Sequence, residues 1–131
     1  MASYRTPLGR ARGLGAAKHG VGHFIGQRVS AIALVGLAIW AVFSGLSLAK
    51  YDYGATILWL RSGWNTIWVV LLIGTGFFHM SLGMRTVIED YIHKTSTKTL
   101  LLILSTFACW LGAAVGVVSI LKAAFLGGGA Y

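Results

Sequence analysis

Acidic side chains are nearly missing from this chain: three Asp and Glu stand against eleven Lys and Arg, for a formal net charge of +8 over 131 residues. Charge of either sign is scarce, at 11% of residues, where soluble domains carry about 25%. That scarcity argues against a water-soluble fold. The chain has one proline, Pro7, and one cysteine, Cys109. An intramolecular disulfide is therefore impossible, no cysteine cluster exists to hold an iron–sulfur centre, and the glycine pattern of a dinucleotide-binding turn is also lacking. Cys109 lies inside an apolar run, where a small buried hydrophobe is expected.

What remains is apolar length. Residues 29–49, 62–84 and 99–121 hold 21, 23 and 23 residues without a single Asp, Glu, Lys or Arg, and charge-free runs of about 18 or more apolar residues are long enough to cross a bilayer. The expected architecture is an all-α integral membrane protein: a basic arm over 1–28, one three-helix anchor domain over 29–126 with spans at about 29–49, 62–89 and 99–121, and a short tail over 127–131. In such a protein the basic excess reports topology and contact with anionic lipid, and nucleic acid is not expected as a partner because no basic helix or aromatic-lined groove accompanies the charge. The arm reads as flexible, and no secretory signal is expected, since no apolar stretch precedes Val29.

Orientation follows from the basic residues near the span ends. Arg5, Arg10, Arg12, Lys18 and Arg28 in the arm, with Arg85, Lys94 and Lys98 between the second and third spans, face one side; Lys50, Arg61 and Lys122 face the other. Eight against three places the N-terminus inside. Tyr51, Tyr53, Trp59 and Trp64 bracket the outer connection as interface anchors, and Tyr91 is the matching aromatic on the inner side. Gly112 and Gly116, with Ala108, and Ala41 with Gly45 are small residues at spacings that admit close helix approach.

Polar groups gather in the second span. At 100° per residue, Gly83, Thr86 and Asp90 fall at about +40°, −20° and +20° from His79, so the four share one stripe. His79 stands about 16 Å along the helix from Asp90, deep in the hydrocarbon, where an ionisable group is a functional candidate. A neutral imidazole between Gly76 and Gly83 has three readings: a packing histidine bonded to a neighbouring helix, an axial ligand of haem iron whose flat macrocycle needs bare helix surface, or a proton relay. No second histidine lies at that depth, since His19 and His23 precede the first span and His93 follows the second. A second axial ligand would therefore come from another subunit. Arg28 is placed either to neutralise a haem propionate or to snorkel to the headgroups, and Arg85 and Glu89 are spaced to pair with each other.

The segment His79–Tyr91, HMSLGMRTVIEDY, with its His, its Gly four residues later and its closing Asp-Tyr pair, resembles the second-helix signature of the membrane-anchor subunits of succinate dehydrogenase (respiratory complex II), specifically the D-type. LGR at 8–10 and GHFIGQRVSAIAL at 22–34 are similar to that family's basic arm and first-helix Arg. The charged Arg85 and Glu89 within the signature depart from members that are neutral there. The resemblance implies a three-helix, multi-pass anchor in a heteromeric bundle of the bacterial inner membrane. It implies a haem b shared with a second, cytochrome b anchor subunit, ubiquinone as substrate, and iron–sulfur and flavoprotein subunits as the catalytic partners. His79 would be an axial haem ligand with Gly83 beside it, Arg28 a propionate partner, Tyr91 a hydrogen-bond donor to the quinone, and Asp90 a neighbour shaping that site. An anchor of a fumarate reductase or another cytochrome b complex, and a small proton-relay or transport protein, remain as alternatives.

Overall fold

Long apolar stretches without internal proline leave the backbone one way to satisfy its hydrogen bonds in lipid, the α-helix. A computed structural model describes residues 4, 6–13 and 20–126, apart from the side chain of residue 10, and among these residues every regular element is helical. Arg5, Lys18, His19 and the tail 127–131 lie outside the described residues. Five helices follow in order: α1 (Pro7–Ala11), α2 (Gly20–Leu48), α3 (Tyr53–Arg61), α4 (Gly63–Tyr91) and α5 (Thr95–Leu126). By length and composition α2, α4 and α5 each suffice to cross a membrane.

The helices outrun the charge-free segments. α2 begins at Gly20, nine residues before Val29, so residues 20–28 of the basic arm form its opening turns. Three glycines make that stretch a poor helix by local preference, and packing supplies the compensation: a Cβ on Gly26 would stand 3.3 Å from Leu82 Cδ1 and 3.6 Å from Phe78 Cζ, so the missing side chain lets α4 close on α2. Gly13, just past α1, takes φ +60°, the left-handed conformation that ends helices and that glycine adopts without strain.

α4 is the central helix, packed against α5 on one side and α2 on the other, while α3 folds against α4 and α5. Phe77 of α4 lies over Gly112 of α5, and Ile73 lies over Gly116. The small-residue pair of the third span is thus consumed inside the chain, whereas Gly45 of α2 meets nothing within 4 Å. Cys109 is buried on the same α5 face.

The connection 50–61, expected only as a loop between spans, contains α3. Asp52 caps it, accepting from the Ala55 amide at 2.8 Å, and Ser62 alone separates it from α4. That corner is held from α4: Asn65 Nδ2 donates to the Trp59 carbonyl at 2.9 Å, and the buried Thr66 hydroxyl donates to the Leu60 carbonyl. Trp40 stacks between Trp59 and Trp68, with centroids at 5.9 and 5.7 Å, tying α2, α3 and α4 together at the α3 end of the bundle. Tyr51, Tyr53 and Trp64 remain exposed, as interface residues do. Most apolar side chains of the long helices, among them Ile32 on α2 and Phe107 on α5, also face outward, which fits surroundings of lipid and other apolar helices.

Candidate functional site

His79 sits on the α2-facing side of α4, twelve residues before the helix ends at Tyr91. Opposite it stands Ser30 of α2, 4% exposed, whose Oγ is 2.9 Å from His79 Nδ1. The same hydroxyl lies 2.7 Å from the Gly26 carbonyl oxygen and 3.2 Å from that of Gln27. Ser30 was not singled out from the sequence. The available signal was a hydroxyl inside a charge-free run, where a polar group has to find a partner, but which partner depends on how α2 and α4 pack.

The helix surface around His79 is bare. A Cβ on Gly76, one turn before it, would meet nothing within 4 Å, and one on Gly83, one turn after, would meet only Gln27 Nε2 at 3.9 Å. On the side of His79 toward the α3 end, an open apolar groove of about 330 Å³ runs between α2 and α4, lined by Leu34, Leu72, Gly76 and Met80 among others. Among the described residues no three His, Cys, Asp or Glu side chains converge. The described residues thus offer an ion at His79 a single side-chain ligand, and its other positions would be filled from outside this chain, as a macrocycle fills four of those on iron. A single imidazole beside side-chain-free helix surface fits such a group.

The other sequence candidates do not gather at this point. Arg28 is exposed, with its guanidinium carbon 5.2 Å from the Phe24 ring centroid. Tyr91 is 75% exposed and borders an apolar groove of about 420 Å³ between α4 and α5, with Val87, Ile88, Leu101, Leu104 and Ser105. Asp90 is exposed as well, about 100° around the helix from Tyr91. Thr86, placed by spacing on the His79 stripe, turns its hydroxyl back to the Leu82 carbonyl at 3.2 Å. The structure thus joins His79 to Ser30 and flanks it with glycine, whereas Tyr91 borders a different groove, between α4 and α5.

Charge at this end of the bundle is partly committed. Arg85 Nε and Glu89 Oε1 pair at 2.8 Å, as their spacing implied, and Lys98 Nζ donates to the Glu89 carbonyl at 2.9 Å, closing α5 onto the end of α4. His23 Nε2 and Gln27 Oε1, one turn apart on α2, are shielded from solvent with no partner among the described residues. They continue the polar face of α2 that ends in Ser30.

Residues 2–118 match the model of the family described as succinate dehydrogenase/fumarate reductase transmembrane subunit. The chain is similar to the succinate dehydrogenase hydrophobic membrane anchor subunit of Rickettsia conorii, with 30% identity over 107 residues, 81% of this chain and 85% of that one. It is similar to the corresponding subunit of Rickettsia bellii, with 33% identity over 100 residues, 76% of this chain and 80% of the relative. Against the Rickettsia typhi subunit, identity is 23% over 117 residues, covering 89% and 94% of the two chains.

Proposed function

The chain belongs to the succinate dehydrogenase/fumarate reductase transmembrane subunit family, and on that premise we propose that it is the hydrophobic membrane anchor of a succinate dehydrogenase, one that helps hold a haem b and presents a quinone to the iron–sulfur subunit. The observation that carries the reading is His79: an imidazole inside a membrane-spanning helix, held on one nitrogen by a buried serine and flanked by glycines that keep the helix surface bare. The bacterial relatives support the inner membrane as its location and flavoprotein and iron–sulfur subunits as its partners. The exposed apolar faces of α2 and α5 accord with a second anchor subunit, which would help hold the haem together with His79.

Ser30 opposite His79, and Gly26 opposite Leu82 and Phe78, run α2 and α4 antiparallel. Arg28, Arg85, Lys94 and Lys98 therefore lie toward one end of the bundle, and under the positive-inside rule that end and the N-terminus face the cytoplasm. When bound at His79, a haem supplies a one-electron carrier between the helices. At the same end Tyr91 presents its phenol at the mouth of the α4–α5 groove, where an isoprenoid tail rests on Leu101 and Leu104 while the headgroup stays near water. A phenol hydrogen bond to a quinone carbonyl favours the charge that develops there during reduction. Glu89 is paired with Arg85, whereas Asp90, next to Tyr91 in sequence, has no ion-pair partner among the described residues, and its charge would shape the electrostatics beside the quinone site.

The test is a dithionite-reduced minus oxidised visible spectrum of the complex purified through this subunit, beside its His79→Ala counterpart. A b-type α-band present in the parent, and lost or shifted in an assembled variant, is the expected result. An intact succinate-oxidising complex without haem would remove the ligand assignment and keep the anchor; absence of both haem and soluble subunits would remove the whole reading.

A further inference from the structure

A hydroxyl has one proton to give, and the surroundings of Ser30 say where it goes. Oγ lies 2.7 Å from the Gly26 carbonyl oxygen, a separation at which two oxygens need a hydrogen between them. A carbonyl cannot donate, so the hydrogen is the serine's own. Oγ then has only lone pairs to turn toward His79 Nδ1 at 2.9 Å, and at that distance the hydrogen must come from the ring. Ser30 is 4% exposed, so solvent offers no alternative partner. The arrangement is a chain, Nδ1–H of His79 to Oγ–H of Ser30 to the carbonyl of Gly26, in which each bond polarises the next. With one nitrogen protonated, a neutral imidazole keeps its lone pair on the other.

We propose that Ser30 is a positioning residue that holds His79 as the Nδ1–H tautomer, leaving Nε2 bare and turned away from the hydrogen bond to α2 as the ligand atom for a metal carried in a macrocycle. Its importance for metal binding rests on the haem reading above; the tautomer does not. Free neutral histidine in water prefers to carry its proton on Nε2, which would leave Nδ1 bare instead, so the serine works against an intrinsic preference. It also fixes the ring before a ligand arrives, which removes an ordering cost from binding. Because the Nδ1–H bond donates into an acceptor, the imidazole pushes more electron density toward a bound iron and favours its oxidised form.

Two measurements test this. The full chain, labelled with nitrogen-15 at histidine and reconstituted without haem in lipid nanodiscs, should show in a two-bond nitrogen–proton correlation spectrum one histidine with a protonated Nδ1 and a bare Nε2, absent from His79→Gln. In Ser30→Ala that signal should shift to the Nε2–H form or to a mixture, and Ser30→Thr should restore it. A parent chain with His79 in the Nε2–H form overturns the proposal without any variant that has to fold. In the assembled complex, Ser30→Ala should retain the haem α-band and raise the haem midpoint potential, while Ser30→Thr keeps the parent value; an unmoved potential in a haem-loaded Ser30→Ala overturns the tuning role. Absence of haem from the parent complex defeats the reading of the previous section, and the haem-free spectrum still decides the tautomer.

Discussion

Replacing Gly112 by alanine tests the packing that sets α5 against α4. The added Cβ would overlap Phe77 Cε1 and stand 2.7 Å from Cζ and 3.3 Å from Cδ1. Ordinary carbon contacts begin near 3.4 Å, so the ring or the helix has to retreat by roughly 1 Å. Crowding of this kind costs about 1–3 kcal/mol, offset by up to about 1 kcal/mol because alanine is the better helix residue. Gly36→Ala on α2, where a Cβ meets nothing within 4 Å, isolates that propensity gain. Gly116→Ala, 3.0 Å from Ile73 Cγ2, should fall between the two. Cys109, the single thiol of the chain, is buried between α5 and α4 three residues from Gly112. Its maleimide labelling rate in mixed micelles follows the opening of that interface. Relative to Gly36→Ala, Gly112→Ala should accelerate labelling about 5- to 150-fold, the factor that about 1–3 kcal/mol implies, and Gly112→Ala combined with Phe77→Leu should recover most of the loss. Equal labelling in Gly112→Ala and Gly36→Ala would refute the fit of Phe77 over Gly112.

Two further expectations follow from the same contacts. Thr66→Val keeps the shape of the side chain but leaves the Leu60 carbonyl without the buried hydroxyl; a cost of about 1–3 kcal/mol is expected, read as an earlier denaturant transition in tryptophan emission, since Trp59, Trp64 and Trp68 surround the corner. Tyr91→Phe should lower electron delivery to ubiquinone about tenfold or more, the scale of one lost hydrogen bond to developing charge, while succinate oxidation with a soluble dye is unchanged. Full quinone activity in that variant would detach Tyr91 from the site.

Much of the fold was legible because lipid constrains it so strongly. A chain with three charge-free runs has to make three helices. The helix ends were less legible. Charge marks where a helix leaves hydrocarbon, and hydrogen bonding continues past that point, so Gly20–Arg28 and α3 lie in segments that composition assigned to arm and loop. The polar stripe on α4 was readable to the extent that helical periodicity is reliable, which placed His79 and Gly83 on one face. Thr86 shares their angle, yet its hydroxyl bonds its own helix.

Composition and spacing by themselves determined that the protein lives in a membrane, that His79 is the one histidine within an apolar span, and that Asp90 and Tyr91 close the helix that carries it. These properties depend on one helix at a time, whose geometry is local. The tertiary structure decided which groups meet across helices. It set Ser30 against His79, buried the Gly112 face under Phe77 and put Tyr91 at the rim of the α4–α5 groove. Such pairings depend on the rotation and register of one helix against another, which are settled by the fit of side chains such as Phe77 into spaces such as Gly112, and no single helix carries that information.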